Sequence, residues 1–315
     1  MIRHQFPDLQ WLKQQLDQRF RQRMGPDQIP LEAEGFPGVI IHTTTLEAYR
    51  PDITGPVSLF LNLKGRSRCT VDNRKVDIPE DCFFLSNRFQ PYTLEIESRQ
   101  PVETFNIHIG EAFSEGVLSA VLTPADTILN HGLQQKAVTV AFYNQLHRKN
   151  ATFNHLIAGL QATQQQASFH KLLFEERLAQ LLLYLLQQHR HLMQQIARLP
   201  AIKPATRQEL YKRLSVALDY LHSCTSGAVD LDALAATACL SKFHFLRLFK
   251  LTYGVTPYQY WQKLRLEKAE HLLRHSGMAV NDIAEALGFE NSNSFSRLFL
   301  QRFQQYPTSY RQFVE

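Results

Sequence analysis

The residues able to do chemistry are ordered most clearly in the last third of this 315-residue chain. Arg247 and Arg297 stand 50 positions apart inside matching sequence. Residues 245–260 (FLRLFKLTYGVTPYQY) align with residues 295–310 (FSRLFLQRFQQYPTSY), with Phe, Arg, Leu, Phe, Pro and Tyr identical. A guanidinium at one repeated position offers paired hydrogen bonds to a guanine edge. The plainer alternative is a surface arginine or an intradomain salt bridge, and its recurrence in both copies weighs against that. Upstream, residues 231–238 (LDALAATA) match residues 280–287 (VNDIAEAL) at an offset of 49, so the second turn has gained one residue. Two copies do not make a solenoid; they are one motif used twice.

Each copy reads as a short helix, a tight turn and a longer helix. In the first, Leu231, Leu234, Ala235 and Ala238 form the apolar face, Cys239 and Leu240 the turn, and Ser241 caps a helix that ends at Gly254 and Pro257. In the second, Val280, Ile283, Ala284 and Leu287 form that face, Gly288 supplies the turn, and the cluster Asn291, Ser292, Asn293, Ser294 starts a helix ending before Pro307. Phe245, Leu248, Phe249, Phe295, Leu298 and Phe299 are expected in the core. Between the copies, residues 258–274 are uninterrupted helical pattern. With flanks this is about 20 residues, or ~30 Å, close to the ~34 Å between successive major grooves on one face of B-DNA. That match favours DNA over a protein partner.

Other chemistries find little support. Cys69, Cys82, Cys224 and Cys239 lack metal-type spacing and read as buried or semi-buried free thiols, with a Cys69–Cys82 redox pair as the alternative. No Gly-rich phosphate loop, Gly-x-Ser-x-Gly elbow or His-Glu-x-x-His helix is present, so no catalytic residue and no cofactor are assigned. Net charge argues nothing. From Thr206 onward 13 Lys and Arg face 10 Asp and Glu, a balance of +3, and the first 205 residues carry 21 and 19, a balance of +2. No apolar run reaches the ~18 residues of a membrane span, and the start lacks a signal-peptide core. No membrane partner and a cytoplasmic location are therefore expected.

Three stretches must position these groups. Residues 38–110 have strand character: 38–46, ending before Pro51; 57–63; a hairpin of 67–71 and 74–78 turning at Asp72 and Asn73; then 82–85, 92–96 and 103–109. Short strands with turns between them suggest an antiparallel sandwich or barrel. Residues 111–197 read as helical. Phe174, Leu178, Leu181, Leu182, Leu185, Leu192 and Ile196 fall on one face, either packing on the β domain or forming a dimer seam. The glutamines at 164–166 read as a solvated helix face or loop. Pro200 and Pro204 mark a linker. The expected organisation is α+β: residues 1–197 a barrel or sandwich with accompanying helices, 198–205 a linker, and 206–315 an all-α domain with two helix-turn-helix units.

The last segment resembles the AraC/XylS family of bacterial transcription regulators. Its second unit, GFENSNSFSRLF at 288–299 with Pro307, Tyr310 and Arg311, is close to that family's signature, over about 100 residues. It departs at Gln304, Gln305 and Tyr306, where the family has Gly and then a small residue, which puts the cap of the last recognition helix in question. The resemblance implies base reading by Phe243, Leu246 and Arg247 in the first unit and by Ser292, Asn293 and Arg297 in the second. Leu246 stands where the family is often polar, so it reads only by apolar contact. Lys242, Lys250 and Arg302 are placed for phosphates, which position without specifying.

The same resemblance implies that the strand-rich region is a cupin-like domain. A cupin metal needs several His and a carboxylate converging from adjacent strands. Here His42 and His108 are isolated and Tyr92 stands near where a cupin often has His, so no metal is assigned. A small-molecule sensor is the better reading, with Phe60, Asn62, Tyr92, Asn106 and His108 as candidate lining residues. The implied partners are double-stranded DNA, a small effector, a second copy in a homodimer and, for an activator, RNA polymerase. The rivals are a ligand-independent DNA binder whose β domain only dimerises and a cupin-type metalloenzyme fused to a DNA-binding module.

Overall fold

The computed structural model describes residues 2–9, 38–122, 140–164, 171–201, 203–223 and 229–312. The chain divides into two units, Met1–His191 and Leu192–Glu315. Among the described residues of the first, eight strands form a barrel-like sheet: β1 (Ile2–Arg3), β2 (Val39–Ile53), β3 (Val57–Lys64), β4 (Ser67–Val71), β5 (Arg74–Ile78), β6 (Cys82–Ser86), β7 (Tyr92–Ile109) and β8 (Leu146–Arg148). The order is β1-β2-β7-β3-β6-β8, with β4 paired to both β7 and β5. Only β1 and β2 pair in parallel. The β4–β5 hairpin turns on Asp72 (φ 50°) and Asn73 (φ 61°), the two positive φ values that a tight hairpin turn with the right twist demands.

Two strands differ from the sequence expectation. β2 does not stop before Pro51 but reaches Ile53. Its register shifts between Arg50 and Ile53, so the proline sits where the ladder needs no N–H. The expected strands at 92–96 and 103–109 are the two halves of one 18-residue strand, β7.

Both faces of the central strands are covered, which is why β3 and β6 read as nearly continuous apolar runs. Leu59 and Leu61 of β3, Phe83 and Leu85 of β6 and Phe105 and Ile107 of β7 face outward. They pack against Phe153, Ile157 and Leu160 of α2 (Ala151–Gln164) and Phe174, Leu178, Leu181, Leu182 and Leu185 of α3 (Lys171–Ala197). The apolar stripe of α3 therefore closes the domain's own core, because the outer sheet face needs cover, and does not stand open to a second copy. Leu192 and Ile196, farther along α3, are also buried. Of the glutamine run, residues 165 and 166 lie outside the described residues. A further helix, α1 (Glu111–Leu122), follows β7 directly, and Arg88 ties the turn before β7 to it through Glu111 and Glu115.

The inward face carries a second cluster: Phe60, Cys69, Val71, Val76, Ile78, Cys82, Phe84, Tyr92 and Leu94, with Phe6 and Leu9 packed against it. Cys69 and Cys82 are buried and form no disulfide, whereas Cys239 is exposed rather than semi-buried. Cys224 lies outside the described residues.

β2 contains a bulge that sets which of its side chains point inward. Ile41 and Thr43 lie opposite Asn106 and Thr104 on the inner face. The register then shifts between Thr45 and Glu47, and Ala48 and Arg50 come to lie opposite the inward Ile96 and Leu94. Between those two pairings β2 has the single residue Leu46 and β7 has four, 98–101, and across this irregularity the alternation of β2 reverses. The Thr45 hydroxyl secures this kink, donating to the Glu47 carbonyl at 2.8 Å and accepting from the Glu47 amide at 3.3 Å.

The second unit opens with α4 (Pro204–Ser223), a helix the sequence reading passed over although Tyr211, Leu214, Leu218 and Leu221 recur at helical spacing and are buried. The first helix-turn-helix is α5 (Leu231–Thr237) and α6 (Lys242–Tyr253). The second is α8 (Val280–Ala286) and α9 (Ser292–Phe303), followed by α10 (Pro307–Gln312). In each turn one residue takes positive φ, Cys239 at 51° and Gly288 at 70°. The amide after it reaches back to an equivalent carbonyl at 2.9 Å: Leu240 to Ala235, Phe289 to Ala284. Ser241 and Asn291 cap the two recognition helices. Between the units runs α7 (Pro257–His275), 19 residues begun by a capping box of Thr256 and Gln259, or about 28 Å.

Candidate functional site

Each recognition helix is held by four aromatic rings in the same arrangement. Phe245–Phe249, Phe249–Tyr253, Phe249–Tyr260 and Tyr253–Tyr260 have centroids 5.5, 4.5, 5.8 and 6.0 Å apart. The equivalent pairs Phe295–Phe299, Phe299–Phe303, Phe299–Tyr310 and Phe303–Tyr310 stand at 5.6, 4.5, 5.5 and 5.7 Å. Leu248 is fully buried, while Leu298, also expected in the core, is only partly so. These rings fix the inward faces of α6 and α9 and thereby their outward faces.

On α6, Phe243 and Arg247 are exposed one turn apart, with Leu246 half-buried beside them and Lys250 exposed on the next turn. Phe243 keeps 79% of its surface in water. On α9, Asn293 and Arg297 repeat the positions of Phe243 and Arg247 and are likewise exposed, and Ser292 is half-buried. Gln301 extends that exposed line by one more turn; it was missed, although its spacing from Arg297 is the same as that of Arg297 from Asn293. Arg247 and Arg297 make no hydrogen bond or ion pair among the described residues, so both guanidinium forks are free.

The first residue of each recognition helix is tied to the helix before it. Lys242 Nζ donates to Asp232 Oδ2 at 2.8 Å, and Ser292 Oγ donates to Asn281 Oδ1 at 2.7 Å. The tie is ionic in one copy and neutral in the other. Of the candidate phosphate residues, Lys242 thus has an internal acid, and Arg302 lies 3.8 Å from Glu267 of α7. Lys250 has no ion-pair partner among the described residues.

Arg265 of α7, also missed, is buried. Its Nε donates to the Leu287 carbonyl at 2.6 Å, and its guanidinium lies 4.1 Å from the Trp261 ring and 3.7 Å from the Phe289 ring. Burial pushes its pKa down to about 10, so the stacked group stays cationic. It fastens the turn of the second helix-turn-helix to the connecting helix, which sets where α9 points. Only the assembled fold brings positions 261, 265, 287 and 289 together.

In the first unit, Phe60, Asn62, Tyr92, Asn106 and His108 all lie on the inner face of the barrel. Phe60 meets Tyr92 edge-on at 4.8 Å and His108 at 6.2 Å. Asn62 donates to the Ile78 carbonyl at 2.7 Å, leaving its Oδ1 buried without a partner. Ser58 Oγ donates to the Pro56 carbonyl at 2.9 Å, so its 2.8 Å contact with His108 Nδ1 requires the imidazole to carry its proton there. The His108 Nε2 is then left as an acceptor. Burial pushes the His108 pKa down to about 4. Among the described residues no three His, Cys, Asp or Glu come together as a metal site. His42 instead contacts Glu103 at 2.7 Å. No helix among those residues is long and apolar enough to cross a membrane.

Two family models match separate parts of the chain. Residues 39–182 match the AraC-like ligand binding domain, and residues 234–312 match a helix-turn-helix domain. The transcriptional activator RhaS of Escherichia coli O139:H28 is 44% identical over 100 residues, 32% of this chain and 36% of that protein. The matched part thus spans little more than a third of that relative's length. A solved AraC-type transcriptional regulator from Chromobacterium violaceum is 26% identical, covering 33% of this chain and 93% of that one with a TM-score of 0.32. ToxT of Vibrio cholerae O395 is 12% identical, covering 90% and 100% with a TM-score of 0.36. With both family matches on one chain, and in the family's order, this protein belongs to the AraC/XylS family of transcription regulators.

Proposed function

We propose that this protein is a sequence-specific DNA-binding transcription regulator of the cytoplasm, not an enzyme, and that a small molecule bound inside the barrel controls it. The observation that carries the reading is the duplicated presentation on α6 and α9. Phe243 and Arg247 on one, Asn293 and Arg297 on the other, stand exposed at equivalent positions over the same four-ring support. A 19-residue helix joins them, long enough to seat the two in successive major grooves. Arg247 and Arg297 would each chelate a guanine edge, Asn293 an adenine, and Phe243 a thymine methyl. Leu246 and Ser292 complete the reading faces. Lys250, Lys242 and Arg302 would meet phosphates, the last two after exchanging their internal carboxylates for the backbone. A second copy and, at a promoter, RNA polymerase are the expected protein partners.

Selection of bound sequences from a random DNA pool by the full chain tests this. The expected product is a motif read in two blocks about one helical turn apart. Arg247→Ala and Arg297→Ala should each cost ~1–3 kcal/mol on that motif and relax preference at one base pair, in different blocks. Failure to enrich any motif, or two variants that bind as the parent does, would overturn the assignment.

A further inference from the structure

Among the described residues, the inner wall of the barrel carries several orphaned polar atoms, and one of the groups is charged. Arg50 points inward, opposite Leu94, because of the β2 bulge. Its Nε and Nη2 are buried and have no hydrogen-bond partner. Among the described residues no carboxylate pairs with it; Tyr92 and Asp8 act on it only at longer range, and the Phe6 ring lies 5.6 Å from the guanidinium. Arg50 as a whole is half-buried, but two N–H groups withdrawn from water without a partner are costly to keep. Nε and Nη2 are also the edge of an arginine that takes both oxygens of one carboxylate.

We propose that Arg50 anchors the effector in the barrel, and that the effector is a small organic monocarboxylate whose carbon body lies against Phe60, Tyr92 and Leu94. This rests on the sensor reading above and gives its ligand a chemical class. A single guanidinium edge balances one negative charge. The other inward-register or nearby cations are engaged, Arg74 with the Asn144 carbonyl and Lys149 with the carbonyls of Asn62 and Glu80 at 2.6 Å. A phosphate, with two charges and more acceptors, would find too few donors. The remaining orphaned atoms on this face, Asn62 Oδ1 and Ser86 Oγ, and the acceptor Nε2 of His108 suit a hydroxyl on the same molecule. They do not suit a second anion.

The test uses the full chain and matched pairs of probes, benzoate with benzamide and hexanoate with hexanamide, read by thermal melting and by titration calorimetry. The carboxylates should raise the melting temperature and the amides should not. Arg50→Gln should weaken carboxylate binding between about tenfold and a hundredfold. Arg50→Met should melt, without any probe, at or above the parent, because it removes a charge that has no internal partner. Three results would overturn the proposal: amides that stabilise as well as their acids, carboxylates that give no shift, or an Arg50→Met chain that melts well below the parent. DNA selection separates this from the regulator reading. A chain that binds carboxylates but enriches no DNA sinks that reading and leaves the site. A chain that enriches a motif but ignores carboxylates does the reverse.

Discussion

His108 and His147 show how burial at single residues makes the whole protein respond to acid. Both are held near a pKa of about 4 by desolvation, and the neighbouring His189 adds to the effect at His147. The folded pKa lies below the usual value near 6.5, so between the two the unfolded chain binds more protons than the folded one. Their contribution to stability is complete above about pH 6.5 and is lost progressively toward pH 4. Thermal melts of the full chain across that window should fall with pH, and His147→Phe, replacing a ring stacked 5.0 Å from Phe83, should flatten the slope. A slope unchanged in that variant would remove His147 from the account. Arg50 belongs at this scale too. Sequence alternation along β2 counts it with the outward Ile40 and His42, so no reading of composition or period would have chosen it.

At the scale of the element, the two recognition helices end alike on unlike residues. Gly254 closes α6 at φ 78°, and Gln304 closes α9 at φ 60° with the same bond back four residues. The family departure at Gln304 therefore changes the residue and not the cap. A side chain in this region costs ~1 kcal/mol that glycine avoids. Gln304→Gly should accordingly stabilise the chain by ~0.5–1 kcal/mol in urea unfolding, and Gly254→Ala should destabilise it by a similar amount. The cap at Gly254, the turns at Cys239 and Gly288, and the duplicated Phe and Tyr positions were legible because helical signals are local: the residues that make each feature lie within a few positions of one another, whereas the cap at Gln304 was not, since its residue departs from the expected glycine. The ties of Lys242 to Asp232 and of Ser292 to Asn281, and the seat of Arg265, join residues 10 to 24 positions apart, and only folding makes them neighbours. The α3 stripe was legible as apolar but not in its destination, since a core and a dimer seam ask for the same periodicity.

For the whole molecule, the division at His191 and Leu192 predicts separable behaviour. Calorimetry of the full chain should resolve two transitions, of which a carboxylate shifts only one directly. Residues 192–315 expressed alone should reproduce the other and should bind the selected DNA motif. A single transition that no truncation reproduces would mean that neither unit is stable without its neighbour. The barrel class was readable from short strands and turns, and the continuous burial of β3 and β6 explains why their alternation was not.

The kink at Leu46 gives the barrel a reading frame. Everything beyond it on β2 faces inward or outward according to one residue. Deleting Ala48, just past the kink, would rotate the rest of that strand by half a turn, turn Arg50 to the water and bring Tyr49 inside. A lineage can thus exchange a charged anchor for an aromatic wall in one event, without altering any residue that touches the ligand, while the DNA-reading half of the chain stays untouched.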